Sequence, residues 1–182
     1  MPDEPQDPFR LRVMKAICDQ LKTITIANGY RHELSDYTDS VGRTNQLRVF
    51  RGRDLYGDND PLPMISVLED FRSKEDEEND PDSRQAQVQG NPFTVLIMGF
   101  VPNDQNNPLD PAYLLSADVI KCLVKAKVKY NILGLGGELP CVDKMIIGAP
   151  VHRPADHDVS SVAFFFLKVR LTLIEDLENP FA

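Results

Sequence analysis

At 182 residues the chain is long enough for one well-cored domain and too short to make two comfortably. Twenty Lys and Arg stand against 28 Asp and Glu, a formal net charge of -8, which argues against a dedicated nucleic-acid binder, because such proteins neutralise phosphates with clustered cations. A hydrophobic fraction of 42% excludes wholesale disorder, and three cysteines without a CxxC spacing argue against a disulfide scaffold or a zinc knuckle.

The acidic, proline-rich start Met1-Pro2-Asp3-Glu4-Pro5 reads as the opposite of a signal peptide. A first helix follows, with Asp7 as its predicted cap and Pro8 at the first position, where no backbone N–H is needed. Phe9, Val13, Ile17, Leu21 and Ile24 recur at three- and four-residue steps and define one apolar face. Asn28-Gly29 supplies the stop. Residues 30–34 read as a strand, 35–44 as a polar loop, and 46–51 as a second strand with Leu47 and Val49 on one face and Arg48 and Phe50 on the other. The segment 54–63 is a loop by composition, and 64–68 is a short apolar strand. Residues 69–90 form a polar insertion, long enough to be functional or mobile.

Residues 93–101 are apolar on both faces, as in a central strand buried from two sides. They are also the longest strongly apolar run, about half of what a membrane-spanning helix requires. A second helix is predicted from Asp110 as cap and Pro111 at the first position, with an apolar face of Leu114, Ala117, Ile120, Leu123 and Val124. Lys121, Lys125, Lys127 and Lys129 toward its end complement the negative pole of the helix dipole. A strand is expected within 141–149 around Met145, Ile146 and Ile147. The clearest one lies in 161–174, where Phe165, Leu167, Val169, Leu171 and Leu173 alternate with Lys168, Arg170 and Thr172. This order predicts a single α+β domain over 1–182, a mostly antiparallel mixed β-sheet with two main helices packed on one face. It carries a flexible acidic tip at 1–7, a long polar insertion loop at 69–90 and a tail at 175–182.

Charge is unevenly spread. Asp3, Glu4 and Asp7, then Glu75, Asp76, Glu77, Glu78, Asp80 and Asp82, then Glu175, Asp176 and Glu178 account for twelve of the 28 acids. The remaining sixteen face twenty Lys and Arg, so the body is net cationic. The run at 75–82 lacks the glycine and terminal glutamate of a calcium loop, and reads as a solvated segment.

Motifs that would carry chemistry are weak. In Gly134-Leu135-Gly136-Gly137 the glycines are followed by Glu138 rather than by a Lys-Ser/Thr pair, so a turn is the better reading than a phosphate loop. His152 and His157, with Asp156 and Asp158, offer metal-ligand chemistry, and Cys141 with either histidine offers a nucleophile and base. Cys18 and Cys122 read as small buried hydrophobes. Arg43, Arg48, Arg51 and Arg53 form the densest basic cluster and are the candidate subunit or connector interface, since guanidinium forks hold carboxylates across interfaces.

The helix over 9–24, the Asn28-Gly29-Tyr30 turn, Pro61-Leu62-Pro63-Met64-Ile65-Ser66-Val67 before the insertion, the strand 93–101, the second-helix segment from Asp110 to Ile120 (DPAYLLSADVI) and the close Glu178-Asn179-Pro180-Phe181-Ala182 together resemble the tail terminator family of long-tailed bacteriophages. The match is one of pattern and order across most of the chain, and no single motif is diagnostic. The resemblance implies a virion structural protein, not an enzyme and without cofactor, metal or membrane contact. Family members form a hexameric homo-oligomeric ring at the head–tail junction that ends tail-tube polymerisation. The implied partners are the tail tube protein and the head-completion or connector protein, and genomic DNA passes through the lumen without specific binding. On that reading the acidic run 75–82 either lines the lumen or docks on a partner. The alternatives are another neck or tail-completion protein and, in a different class, a small hydrolase or metal-binding protein using Cys141, His152 and His157.

Overall fold

Two 15-residue strands form the spine of the molecule: β3 (Val88–Pro102) and β8 (Val162–Asp176) pair antiparallel from Val88 opposite Asp176 to Pro102 opposite Val162. The structure, a computed structural model, describes residues 6–54, 56–57, 59–70, 88–136, 140–155 and 162–181. On one side of the spine, β2 (Met64–Glu69) pairs antiparallel with β3, and β1 (Val49–Arg51) adds parallel to β2. On the other side, β6 (Cys141–Ile147) and β7 (Val151–Arg153) both pair antiparallel with β8, one after the other along it. The sheet is thus mixed but mostly antiparallel, in the order β1-β2-β3-β8-β6. Its two edges are β1 on one side and β6 followed by β7 on the other.

Alternation along the spine decides where the core sits. Phe93, Val95, Ile97 and Val101 of β3 and Phe165, Leu167, Val169, Leu171 and Leu173 of β8 share one buried cluster with the helices α1 (Phe9–Lys22) and α2 (Asp110–Lys125). Phe9, Val13, Ile17, Leu21 and Ile24 are all buried there, as the periodicity requires. Gly99 is opposite Phe165, and a Cβ at Gly99 would overlap that ring. The other sheet face holds a second cluster in which Met64, Phe100 and Val162 pack with Phe50, Tyr56, Leu62, Met98 and Phe164. Phe100 stacks between Tyr56 at 5.6 Å and Phe164 at 6.0 Å, so rings from the 50–62 segment cover part of the second apolar face of β3.

Several expectations are corrected. Helix α2 is rotated relative to the predicted face: Ala112, Leu115, Val119, Cys122 and Leu123 are buried, whereas Leu114, Ala117 and Val124 point outward. Two polar side chains settle that rotation. Asp118, 6% exposed, accepts the backbone N–H groups of Arg31 and His32 and the Nδ1–H of His32 at 2.8 Å, and Ser116 is bonded to His152. Residues 30–34 are therefore not a strand but an irregular segment held against α2. Neither helix has the predicted side-chain cap. Pro8 occupies the N-cap of α1, Asp7 pairs with Lys15 instead, and Asp110 is already the first residue of α2. The predicted strand over 46–51 shortens to Val49–Arg51.

The boundaries of the loop and tail also move. Residues 88–90 belong to β3, and Asp70 is buried against Lys168 at 2.6 Å. Strand β8 runs through Glu175 and Asp176, so the tail begins only after them. Glu175 is no solvated tip: its buried carboxylate accepts from the Arg10 guanidinium at 2.8 Å and from the Asn91 amide at 3.2 Å. The acidic run 75–82 lies outside the described residues. No helix among the described residues is long and apolar enough to cross a membrane.

Candidate interaction surfaces

The arginine cluster lies at the β1 edge, and three of its four guanidinium groups are engaged within the chain. Arg43 closes on Asp39 at 2.6 Å. The Arg48 guanidinium donates to the carbonyls of Leu62 at 2.9 Å and Pro63 at 3.3 Å, and lies 4.4 Å over the Tyr37 ring. Arg53 pairs with Asp60 at 2.6 Å and covers Phe50. These contacts close the loops that flank β1 rather than present four cations to a partner. Arg51 differs. It is exposed and lines an open groove of about 710 Å³ between α1 and β1, with Leu11, Met14, Leu47 and Phe50.

A different surface forms at the β6 edge. Only Lys121 and Lys125 of the predicted helix-end lysines are on α2; both lie over the Tyr30 ring, at 4.7 and 4.8 Å. Lys127 and Lys129 belong to a hairpin, β4 (Lys127–Val128) and β5 (Asn131–Ile132), beside β6. Between hairpin and β6 lies a groove of about 530 Å³, lined by Lys127, Lys129, Asp143 and Lys144 over Val142 and Met145. Tyr130 in the hairpin turn has φ of 64° and is 80% exposed. A bulky residue in the left-handed region is strained, and such residues concentrate at functional sites.

The glycines of residues 134–136 explain how that turn is held. Gly134 has φ of 73°, and a Cβ on Gly136 would collide with the backbone of Tyr130 and Asn131. The Gly136 amide donates to Asn131 Oδ1 at 2.9 Å. The glycine motif is thus a turn, as predicted, and its role is to let one loop lie directly on the hairpin. Gly137 lies outside the described residues.

Of the candidate catalytic and metal residues, the two that are described, Cys141 and His152, are not brought together. Cys141 pairs with Ile174 and His152 with Phe165, nine positions apart along β8, or about 30 Å at the rise of a strand. Burial raises the Cys141 thiol, with Asp143 adding to it, the wrong direction for a nucleophile. Cys18 and Cys122 are buried, and burial pushes Cys18 up to about 12. His152 stacks on Tyr113 at 3.7 Å, and its Nε2 is 2.8 Å from Ser116 Oγ, a pair with no signal in the sequence because the two are 36 residues apart. Ser116 Oγ donates to the Tyr113 carbonyl at 2.9 Å, so toward His152 it accepts, and the Nε2–H donates. An imidazole protonated at that nitrogen cannot deprotonate the serine. Burial lowers the His152 pKa, in keeping with a neutral ring in this packing. No group of three His, Cys, Asp or Glu converges among the described residues. His157, Asp156 and Asp158 lie outside them.

Comparison with protein-family models finds no match to this sequence, and comparison with curated proteins finds none either.

Proposed function

We propose that the chain is a virion structural protein, the subunit of a tail-terminator ring at the head–tail junction. In this role the ring ends tail-tube polymerisation, joins the tail to the head connector and lets genomic DNA pass through its lumen. The observation that carries the reading is the pair of unlike open grooves at opposite edges of one sheet, α1/β1 at one edge and hairpin/β6 at the other. A subunit with two different patches at opposite ends is suited to head-to-tail contacts, which generate a ring when the rotation closes. The outward Leu114, Tyr113 and Val124 of α2 add apolar surface that a neighbouring subunit would cover. The order of elements that resembles the tail terminators supplies the rest of the argument, including the hexameric count and the tube and connector as partners.

Electron microscopy of particles assembled without this protein tests the reading. Overlong tails detached from heads are the expected outcome. Normal-length tails joined to filled heads would refute it.

A further inference from the structure

Among the described residues, the hairpin edge carries more positive charge than its neighbours balance. Among the described residues Lys127, Lys129 and Lys144 are exposed and form no ion pair, and Asp143 is the one acid lining their groove. Lys121 and Lys125 stand behind them on the last turns of α2. The turn that shapes the groove is strained at Tyr130 and buttressed by Gly136, so the feature is built into the fold.

We propose that this lysine groove receives an acidic segment of a second copy of the chain, the run Glu75, Asp76, Glu77, Glu78, Asp80 and Asp82. The inference rests on the ring reading and names the contact that would close the ring. Six carboxylates without an intervening cation complement a groove with three lysines, and such complementarity fixes partner and register. The position fits as well. The described chain stops at Asp70, after β2, and resumes at Val88, while β2 lies on the side of β3 remote from β6. With neighbours placed side by side, a connection running from 71 to 87 is long enough to reach past β1 to the β6 edge of the next copy, a head-to-tail contact between unlike patches. A peptide fits this groove better than a nucleic acid does. Its floor is apolar, formed by buried Val142 and Met145, Asp143 repels phosphate, and the chain as a whole carries -8.

Zero-length carbodiimide cross-linking of rings co-assembled from equal parts of light and isotope-heavy chain tests this, with total mass followed by light scattering. Cross-links from Lys127, Lys129 or Lys144 to residues 75–82 in heavy–light pairs are expected. A Lys127→Glu/Lys144→Glu variant is expected to lower their yield by at least about tenfold, with the milder Lys127→Gln/Lys144→Gln in between, and circular dichroism unchanged. Same-isotope pairs alone would mean that the run folds back on its own chain, and would overturn the proposal. A ring of full mass without these cross-links would overturn it while leaving the ring reading intact, whereas a chain that stays monomeric would sink both. Protection of the three lysines by added duplex DNA, without cross-links to 75–82, would reassign the groove to nucleic acid.

Discussion

The two edges of the sheet carry similar numbers of cations and use them in opposite ways. At the β1 edge the arginines stand among acids, carbonyls and rings close by in sequence: Asp39 precedes Arg43 by four residues, Asp60 follows Arg53 by seven, and Leu62 and Pro63 receive Arg48. The charge of Arg43, Arg48 and Arg53 is spent on holding loops. At the β6 edge the lysines come from a helix end, a hairpin and a strand, and Asp143 is the only acid among the described residues that line the groove between hairpin and strand. Local density of basic residues in a sequence therefore does not measure available charge; the acids within loop-closure reach decide it.

The glycines sharpen that comparison most. Gly136→Ala at the β6 edge forces a methyl into the Tyr130–Asn131 backbone and is expected to cost about 1–3 kcal/mol. Gly52→Ala at the β1 edge meets open space but a φ of 72°, and is expected to cost only about 1 kcal/mol. Urea unfolding midpoints rank the two; equal losses would mean that the hairpin yields to the intruding methyl. A smaller contrast concerns the cations. Arg48→Ala removes two hydrogen bonds and a ring contact and should lose about 1–2 kcal/mol. Lys144→Ala, on an exposed side chain, should stay within about 0.5 kcal/mol, measured by the same unfolding curves.

The smallest effect is one of pH. His152 has a folded pKa lowered from 6.5 by burial, so its neutral form is the one that suits the fold. Its contribution is fully present above the unfolded value and is lost as pH falls from about 6.5 through the lower folded value. Wild type should lose stability in that window relative to His152→Gln, and an NMR titration should place the ring's midpoint below 6.5. A midpoint at or above that value would contradict the packing described here.

The sequence made the spine legible because strands β3 and β8 and the face of α1 are periodic with little ambiguity. The buried face of α2 is not legible from the pattern, because Leu114, Leu115, Ala117, Val119, Leu123 and Val124 give the helix apolar residues nearly all round. The face is chosen instead by Asp118 and Ser116, polar residues whose partners His32 and His152 are distant in sequence. The same cause hid Glu175, which reads as part of an acidic tail until Arg10, 165 residues away, is placed against it. The arginine cluster is plain in the sequence, but the pairing of Arg43, Arg48 and Arg53 within the chain is not. The lysine groove was half visible: the run from Lys121 to Lys129 was legible, while Lys144 joins it only through the pairing of hairpin and sheet edge.

If the acidic run of one copy and the lysine groove of the next are halves of one contact, copies of the chain must find each other in solution. Light scattering across a range of protein concentration tests this most directly. The predicted result is a discrete species of six times the chain mass that gives way to smaller ones in Lys127→Glu/Lys144→Glu. A monomer at every concentration, for wild type as for the variant, would contradict it.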